Sequence, residues 1–144
     1  MLFIIHYSEN ICEASAADLE IIKNYISDYE LDNRELLHTQ FLVYKKSNTI
    51  LGFGRIRNYA NFDELCSLGV SEPERNKTIG KKIVNALIQK SLSELYLVCV
   101  IPEYFEPIGF KIVNEFPNEI LSKINYCTNS LVVEGVYVAM KLIK

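Results

Sequence analysis

Apolar residues recur along the chain with two periods, about two residues in some segments and three to four in others, with no linker, repeat or low-complexity stretch between them. Residues 2–7 are apolar and aromatic, as a strand would be. From Ser15 the run SAADLEIIKNYI places Leu19, Ile22, Tyr25 and Ile26 on one helical face, and Ser15 with Asp18 has the form of a capping box. The polar, acidic SDYELDNRELLHTQ that follows predicts a short second helix. FLVYKK and ILGFGRIR flank the turn SNT and predict a hairpin. Residues 63–71 read as a further strand, and 80–92 as a helix carrying Ile83, Val84, Leu87 and Ile88 inward. ELYLVCVI is an apolar run of the kind found in strands buried on both faces. The chain closes with FKIVNEF, a helix around PNEILSKINYC and a last strand in VVEGVYVAMKLI. That order predicts an α/β three-layer arrangement around one mixed sheet.

Composition narrows the class. The 144 residues suit a single domain, 1–144, with a core large enough to close without disulfides or metal. With 49% hydrophobic residues and a net charge of -3, the chain is neither a disordered segment nor a broad nucleic-acid surface. No apolar run approaches the roughly 18 to 20 residues that span a bilayer, so no membrane partner is expected. MLFIIHYSEN has no basic leader before its apolar run, and it reads as a first strand and not as a signal peptide. Cys12, Cys66, Cys99 and Cys127 are widely spaced, which predicts free thiols in a reducing cytoplasm and no metal site.

Candidate chemistry concentrates in GVSEPERNKTIGKKIVNALI, residues 69–88. A strand ending at Val70 and a helix starting near Gly80 leave backbone N–H groups without intrahelical acceptors at the helix start, and the helix dipole favours an anion there. Arg75, Lys77, Lys81 and Lys82 reverse the sign of a net-acidic chain at the same point. A solvated basic loop is the competing reading. The segment matches neither the P-loop, because Lys82 stands where Ser or Thr is needed, nor the dinucleotide fingerprint, because it holds a single glycine beyond Gly69.

What RNKTIG does resemble is the acetyl-coenzyme A loop of the GNAT N-acetyltransferases, R/Q-x-x-G-x-G/A, here Arg75-Asn76-Lys77-Thr78-Ile79-Gly80 after Leu68-Gly69-Val70 and Pro73. Thr78 replaces the usual first glycine, and a β-branched residue is costly there if the loop needs a positive φ. YFEPIGFKIV, residues 104–113, resembles the family's F-Y-x-x-x-G-F segment. The match covers residues 41–113 well, and the rest by element order. DELCSLGV, LYLV and GFKIVNEFPNEI are weakly similar to the amino-acid N-acetyltransferases, including those acting on glutamate.

The resemblance implies a central mixed, mostly antiparallel sheet flanked by helices, with acetyl-CoA as cofactor. It implies that Leu68, Gly69 and Val70 offer main-chain groups to the pantetheine arm. The loop Arg75, Asn76, Lys77, Thr78, Ile79, Gly80 and Lys81 would take the pyrophosphate. A primary amine then attacks the acetyl carbon, which calls for a base, and Glu64, on the same strand face as Cys66 and Leu68 by two-residue alternation, is the candidate. The family's tyrosine acid falls at Phe105, which cannot donate a proton, so the role moves to Tyr104 or to water. Cys99 reads as a core thiol. Arg55 and Arg57 share one strand face and could meet a substrate carboxylate, and the acidic stretch Asp28–Glu35 lies where the family builds part of its acceptor wall.

The implied activity is acetyl transfer from acetyl-CoA to the amine of a small molecule, with amino acids among the candidates. Two alternatives stay open: an acyl-CoA-binding sensor without turnover, and acetylation of a protein terminus or lysine. Members of the family often dimerise through their late strands, and VVEGVYVAMKLI is apolar enough to allow it.

Overall fold

The computed structural model describes residues 7–75, 78–131 and 135–143. Most of the first predicted strand, 2–7, lies outside them. The first described strand is the short β1, Ile11–Glu13, which the sequence reading did not pick out. Helix α1 spans Ala16–Tyr29 and starts with the expected capping box: Asp18 N donates to Ser15 Oγ at 3.0 Å, and Ser15 N to Asp18 Oδ2 at 2.9 Å.

The second helix predicted over 27–40 is absent apart from one 3₁₀ turn, His38–Gln40. Asp32 accepts from the backbone N–H of Arg34 at 3.0 Å, and Glu35 sits at φ 51, two local arrangements that compete with helix. The carbonyls of Asp32 and Glu35 instead accept from Ser67 and Arg55 across the sheet.

Strands β2, Phe41–Lys46, and β3, Thr49–Asn58, form the predicted hairpin. Its two-residue turn, Ser47-Asn48, has both φ angles positive, the twist that suits a tight hairpin. β4 covers Asp63–Val70, α2 Ile79–Lys90, β5 Leu95–Cys99, and α3 is a single turn, Pro102–Phe105. β6, Phe110–Ile112, α4, Asn118–Ser130, and β7, Val138–Leu142, complete the order. The last strand is therefore shorter than the predicted 132–143, whose residues 132–134 lie outside the described residues.

The seven strands run β1-β2-β3-β4-β5-β7-β6 in one mixed sheet, parallel only between β4 and β5. Alternation along β2 shows how the layers are built. Leu42 and Tyr44 join α2 on one face, while Phe41 and Val43 join α1 on the other. α4 covers the second face beyond β4, where Ile120 packs with Phe62, Tyr96 and Ala139. Residues Ile83, Val84 and Leu87 of α2 are fully buried, as their spacing requires, and Ile88 is half-buried.

Candidate active site

The site begins where β4 and β5 part. They pair only at Asp63↔Leu95 and Glu64↔Tyr96, although both strands run on for several residues. On the other side of β4 the register against β3 slips: Phe53 faces Gly69, but Arg55 faces Cys66. Ser67, at φ 52, is the extra residue of this bulge. The bulge also turns the strand over. Glu64 and Cys66 face α4, but Leu68 packs against Ile83 and Leu87 side chains on the α2 face, around Gly54. Simple alternation had put Leu68 on the same face as Glu64 and Cys66, and that expectation is corrected here.

Two cavities fill the gap between the strands. The one on the α2 side, about 360 Å³, is lined by Leu68, Gly69, Val70, Arg75, Gly80 and Tyr104. The one toward α4, about 220 Å³, is lined among others by Cys66, Cys99, Cys127, Asp32 and Lys123. Leu68, Ile101 and Phe105 line both cavities, so the two meet there.

At the outer end of the first cavity, α2 opens without a side-chain cap at Thr78, so the N–H groups of its first turn face outward unmatched by helix acceptors. Thr78 has φ -81, an ordinary value for a β-branched residue, which removes the steric objection to it in this loop. Ile79 buries its side chain in the core, whereas Lys81 is exposed. Gly80 has no Cβ because the Tyr104 hydroxyl occupies that space. Arg75 Nε donates to Val70 O at 3.0 Å. Asn76 and Lys77 lie outside the described residues.

Tyr104 thus sits at the α2 end, and burial raises the pKa of its hydroxyl. Its neighbour Phe105 stands at the junction of the cavities, 5% exposed and edge-on to Phe110 at 5.9 Å.

The second cavity is floored by a buried ionic network that sequence reasoning did not assemble. Lys123 Nζ lies 2.5 Å from Asp32 Oδ2 and 2.9 Å from Glu64 Oε2. The second contact is a Coulombic pair without an aligned hydrogen bond. Tyr59 donates to Glu64 Oε1 at 3.1 Å, and Arg34 grips Asp32 with two hydrogen bonds of 3.0 and 2.9 Å. Arg55, fully buried, donates to Ser67 Oγ at 2.9 Å and Gln40 Oε1 at 3.0 Å, and Arg57 pairs with Glu35.

Burial alone would raise the Asp32 carboxyl, but the Arg34 hydrogen bonds and the Lys123 charge outweigh it and hold it well below the carboxylate range. Burial likewise opposes the Lys123 ammonium. Cys66, Glu64 and Asp32 around it prevail, and its pKa lies above the usual lysine range. Burial, then the Glu64 charge, pushes Tyr59 up to about 12.

Asp32, Glu64 and Cys66 bring three donor atoms within 4.8 Å of one another, and the cation set between the two carboxylates is the Lys123 ammonium. The thiols of Cys99 and Cys127 are both pushed up to about 11 by burial, so they stay protonated at neutral pH. His38 Nδ1 contacts the Ala14 carbonyl at 3.1 Å, away from both cavities. A readable signal for Lys123 existed: with Ile120 and Cys127 it forms an i, i+3, i+7 stripe, the buried face of α4.

A continuous cleft between splayed strands, with a helix start and a guanidinium at one end, fits a long thioester carrying a diphosphate. The family comparison agrees. The model of the Acetyltransferase (GNAT) family matches residues 8–110, and the chain belongs to that family. It is therefore an acetyl-CoA-dependent acyltransferase.

Among solved structures, Rv2747 from Mycobacterium tuberculosis, in complex with CoA, is 17% identical, with a TM-score of 0.74 over 93% of this chain and 98% of that one. N-acetylglutamate synthase from Neisseria gonorrhoeae, complexed with coenzyme A and N-acetyl-glutamate, is 18% identical with a TM-score of 0.72; the match covers 93% of this chain and 35% of that one. Arabidopsis thaliana Naa50, in complex with a bisubstrate analogue, is 15% identical with a TM-score of 0.60, over 91% of this chain and 95% of that one. At such identities the likeness is one of fold. No curated protein sequence matches the chain.

Proposed function

We propose that the chain moves an acetyl group from acetyl-CoA to the primary amine of a small molecule, with amino acids among the candidates. The observation that carries this reading is the second cavity: about 220 Å³, joined to the cofactor cleft at Phe105, with Glu30, Asp32 and Lys123 as the charged groups of a mostly apolar lining. Its volume suits a compact acceptor, and its two carboxylates suit one that brings an amine.

In this reading the main chain of Leu68, Gly69 and Val70, unpaired toward β5, holds the pantetheine arm. Arg75 and Lys81, with the first-turn N–H groups at Thr78, Ile79 and Gly80, hold the diphosphate, joined by Asn76 and Lys77. The cofactor supplies an acetyl group activated as a thioester. The amine nitrogen bonds to the acetyl carbon as the carbon–sulfur bond breaks and the sulfur leaves as a thiolate. Glu64, which lines neither cavity, takes the proton that the amine loses through a water relay. Tyr104, protonated at neutral pH as tyrosines are, returns a proton to the thiolate after turning off Gly80.

The test combines binding and turnover. Saturating acetyl-CoA raises the melting temperature, because a ligand of the native state stabilises it by mass action. Charge reversal at Arg75 and Lys81 lowers that shift. Thiol release is then followed over amino acids, polyamines and peptides. Release with amino acids alone supports the proposal, release with peptides alone redirects it to protein acceptors, and tight cofactor binding with no release on any of them means a sensor. In the active case Glu64→Gln lowers kcat, and the loss shrinks as pH rises and the amine arrives already deprotonated, whereas Tyr104→Phe lowers kcat without changing cofactor affinity.

A further inference from the structure

Arg75 is exposed but not loosely held. Besides its hydrogen bond to Val70 O, its guanidinium carbon stands 4.7 Å from the ring centroid of Tyr29, within cation–π range. Tyr29 is itself anchored. Its ring lies 5.6 Å from Tyr25, whose ring lies 5.8 Å from Phe53, and Phe53 fills the space over Gly69 of β4. A line of aromatic contacts therefore runs from the bulged strand to the guanidinium.

Tyr29 is also the last residue of α1. The next residue, Glu30, takes the left-handed C-cap conformation at φ 54, and Glu30, Leu31 and Asp32 line the second cavity. Four consecutive residues thus touch both halves of the site: Tyr29 the cofactor end, the next three the acceptor wall. With Nε committed to Val70 and one ring face against Tyr29, Arg75 presents its Nη donors to an anion.

We propose that Tyr29 is a positioning residue: it holds the Arg75 guanidinium for the cofactor diphosphate and, through the α1 C-cap, makes the acceptor wall at 30–32 respond to cofactor binding. The inference rests on Arg75 being a diphosphate ligand, as read above. It assigns to an α1 residue a part in cofactor binding that the loop motif does not contain.

A double-mutant cycle read by CoA titration tests it, together with amide hydrogen exchange of the C-cap. Arg75→Ala raises the CoA Kd about tenfold, the loss of a charge-assisted contact. Tyr29→Leu raises it about two- to fivefold with Arg75 present and not at all in the Arg75→Ala background, while Tyr29→Phe binds as the parent does. CoA slows exchange of the Glu30 and Leu31 amides, which donate to Ser27 O and Ile26 O, in the parent and in Tyr29→Phe but not in Tyr29→Leu. An equal loss from Tyr29→Leu in both backgrounds overturns the positioning role. Unchanged exchange at 30–31 in the parent, which needs no variant to fold, overturns the coupling. An Arg75→Ala protein that binds CoA as tightly as the parent refutes the diphosphate reading itself, a result distinct from either.

Discussion

The two halves of β4 behave as different kinds of strand. Over Asp63–Cys66 the strand is hydrogen-bonded to β3 and, at its start, to β5, and its acidic side chains are enclosed: Asp63 accepts from Ser91 Oγ at 2.7 Å, and Glu64 sits between Lys123 and Tyr59. Over Ser67–Val70 it keeps β3 alone, and on its free side the two cavities meet. A carboxylate inside a doubly paired strand must find its partners within the protein, whereas a singly paired strand has main-chain groups to give a ligand. One bulge residue, Ser67, separates the two regimes.

The contrast breaks most visibly at its ionic end. Lys123→Ala leaves Asp32 and Glu64 buried without their shared cation, and it should cost about 3–5 kcal/mol, read as a lower denaturation midpoint. A loss under 1 kcal/mol would show that the network is solvated. The open half carries a steric demand of a different kind. A Cβ at Gly69 would press into the Phe53 ring, so Gly69→Ala should destabilise by about 1–3 kcal/mol while leaving the Asp32 network intact.

Acid sharpens the same contrast. The folded pKa of Asp32 lies below its unfolded value, so its contribution is complete above about pH 4 and is lost as pH falls through the folded value, at about 1.4 kcal/mol per unit. Urea midpoints between pH 7 and pH 2.5 should fall less for Asp32→Asn than for the parent. A parallel decline would remove Asp32 as the acid-sensitive group. The smallest effect is expected in the open half, at Gly80→Ala. Its new methyl needs only the Tyr104 hydroxyl to move, so the melting temperature stays put while CoA affinity falls about threefold, from crowding at the helix start. Adding Tyr104→Phe should restore part of that affinity.

How far the sequence could be read follows the range of the forces involved. The Ser15 capping box, the hairpin around Ser47-Asn48, the buried stripe of α2 and the basic loop at Arg75 are all local patterns, and the fold class followed from their order. The family resemblance rested on two such stretches, 75–80 and 104–113. The segment after α1 was misread as helix because its carbonyls are claimed by Arg55 and Ser67, residues that lie 20 to 35 positions away. Leu68 was placed on the wrong face because a bulge adds a residue that no two-residue period announces.

Most elements, the layered sheet, the family and the basic loop at Arg75 were thus legible along the chain, since each depends on neighbours within a few residues. Only the tertiary structure decided what surrounds the reaction. It brought Asp32 beside Lys123, 91 residues apart, set Phe105 and not Tyr104 between the two cavities, and laid Tyr29 under Arg75. The reason is physical: a buried charge or a stacked guanidinium is stabilised by whatever the fold carries to within a few ångströms, and that distance has no counterpart in spacing along the chain.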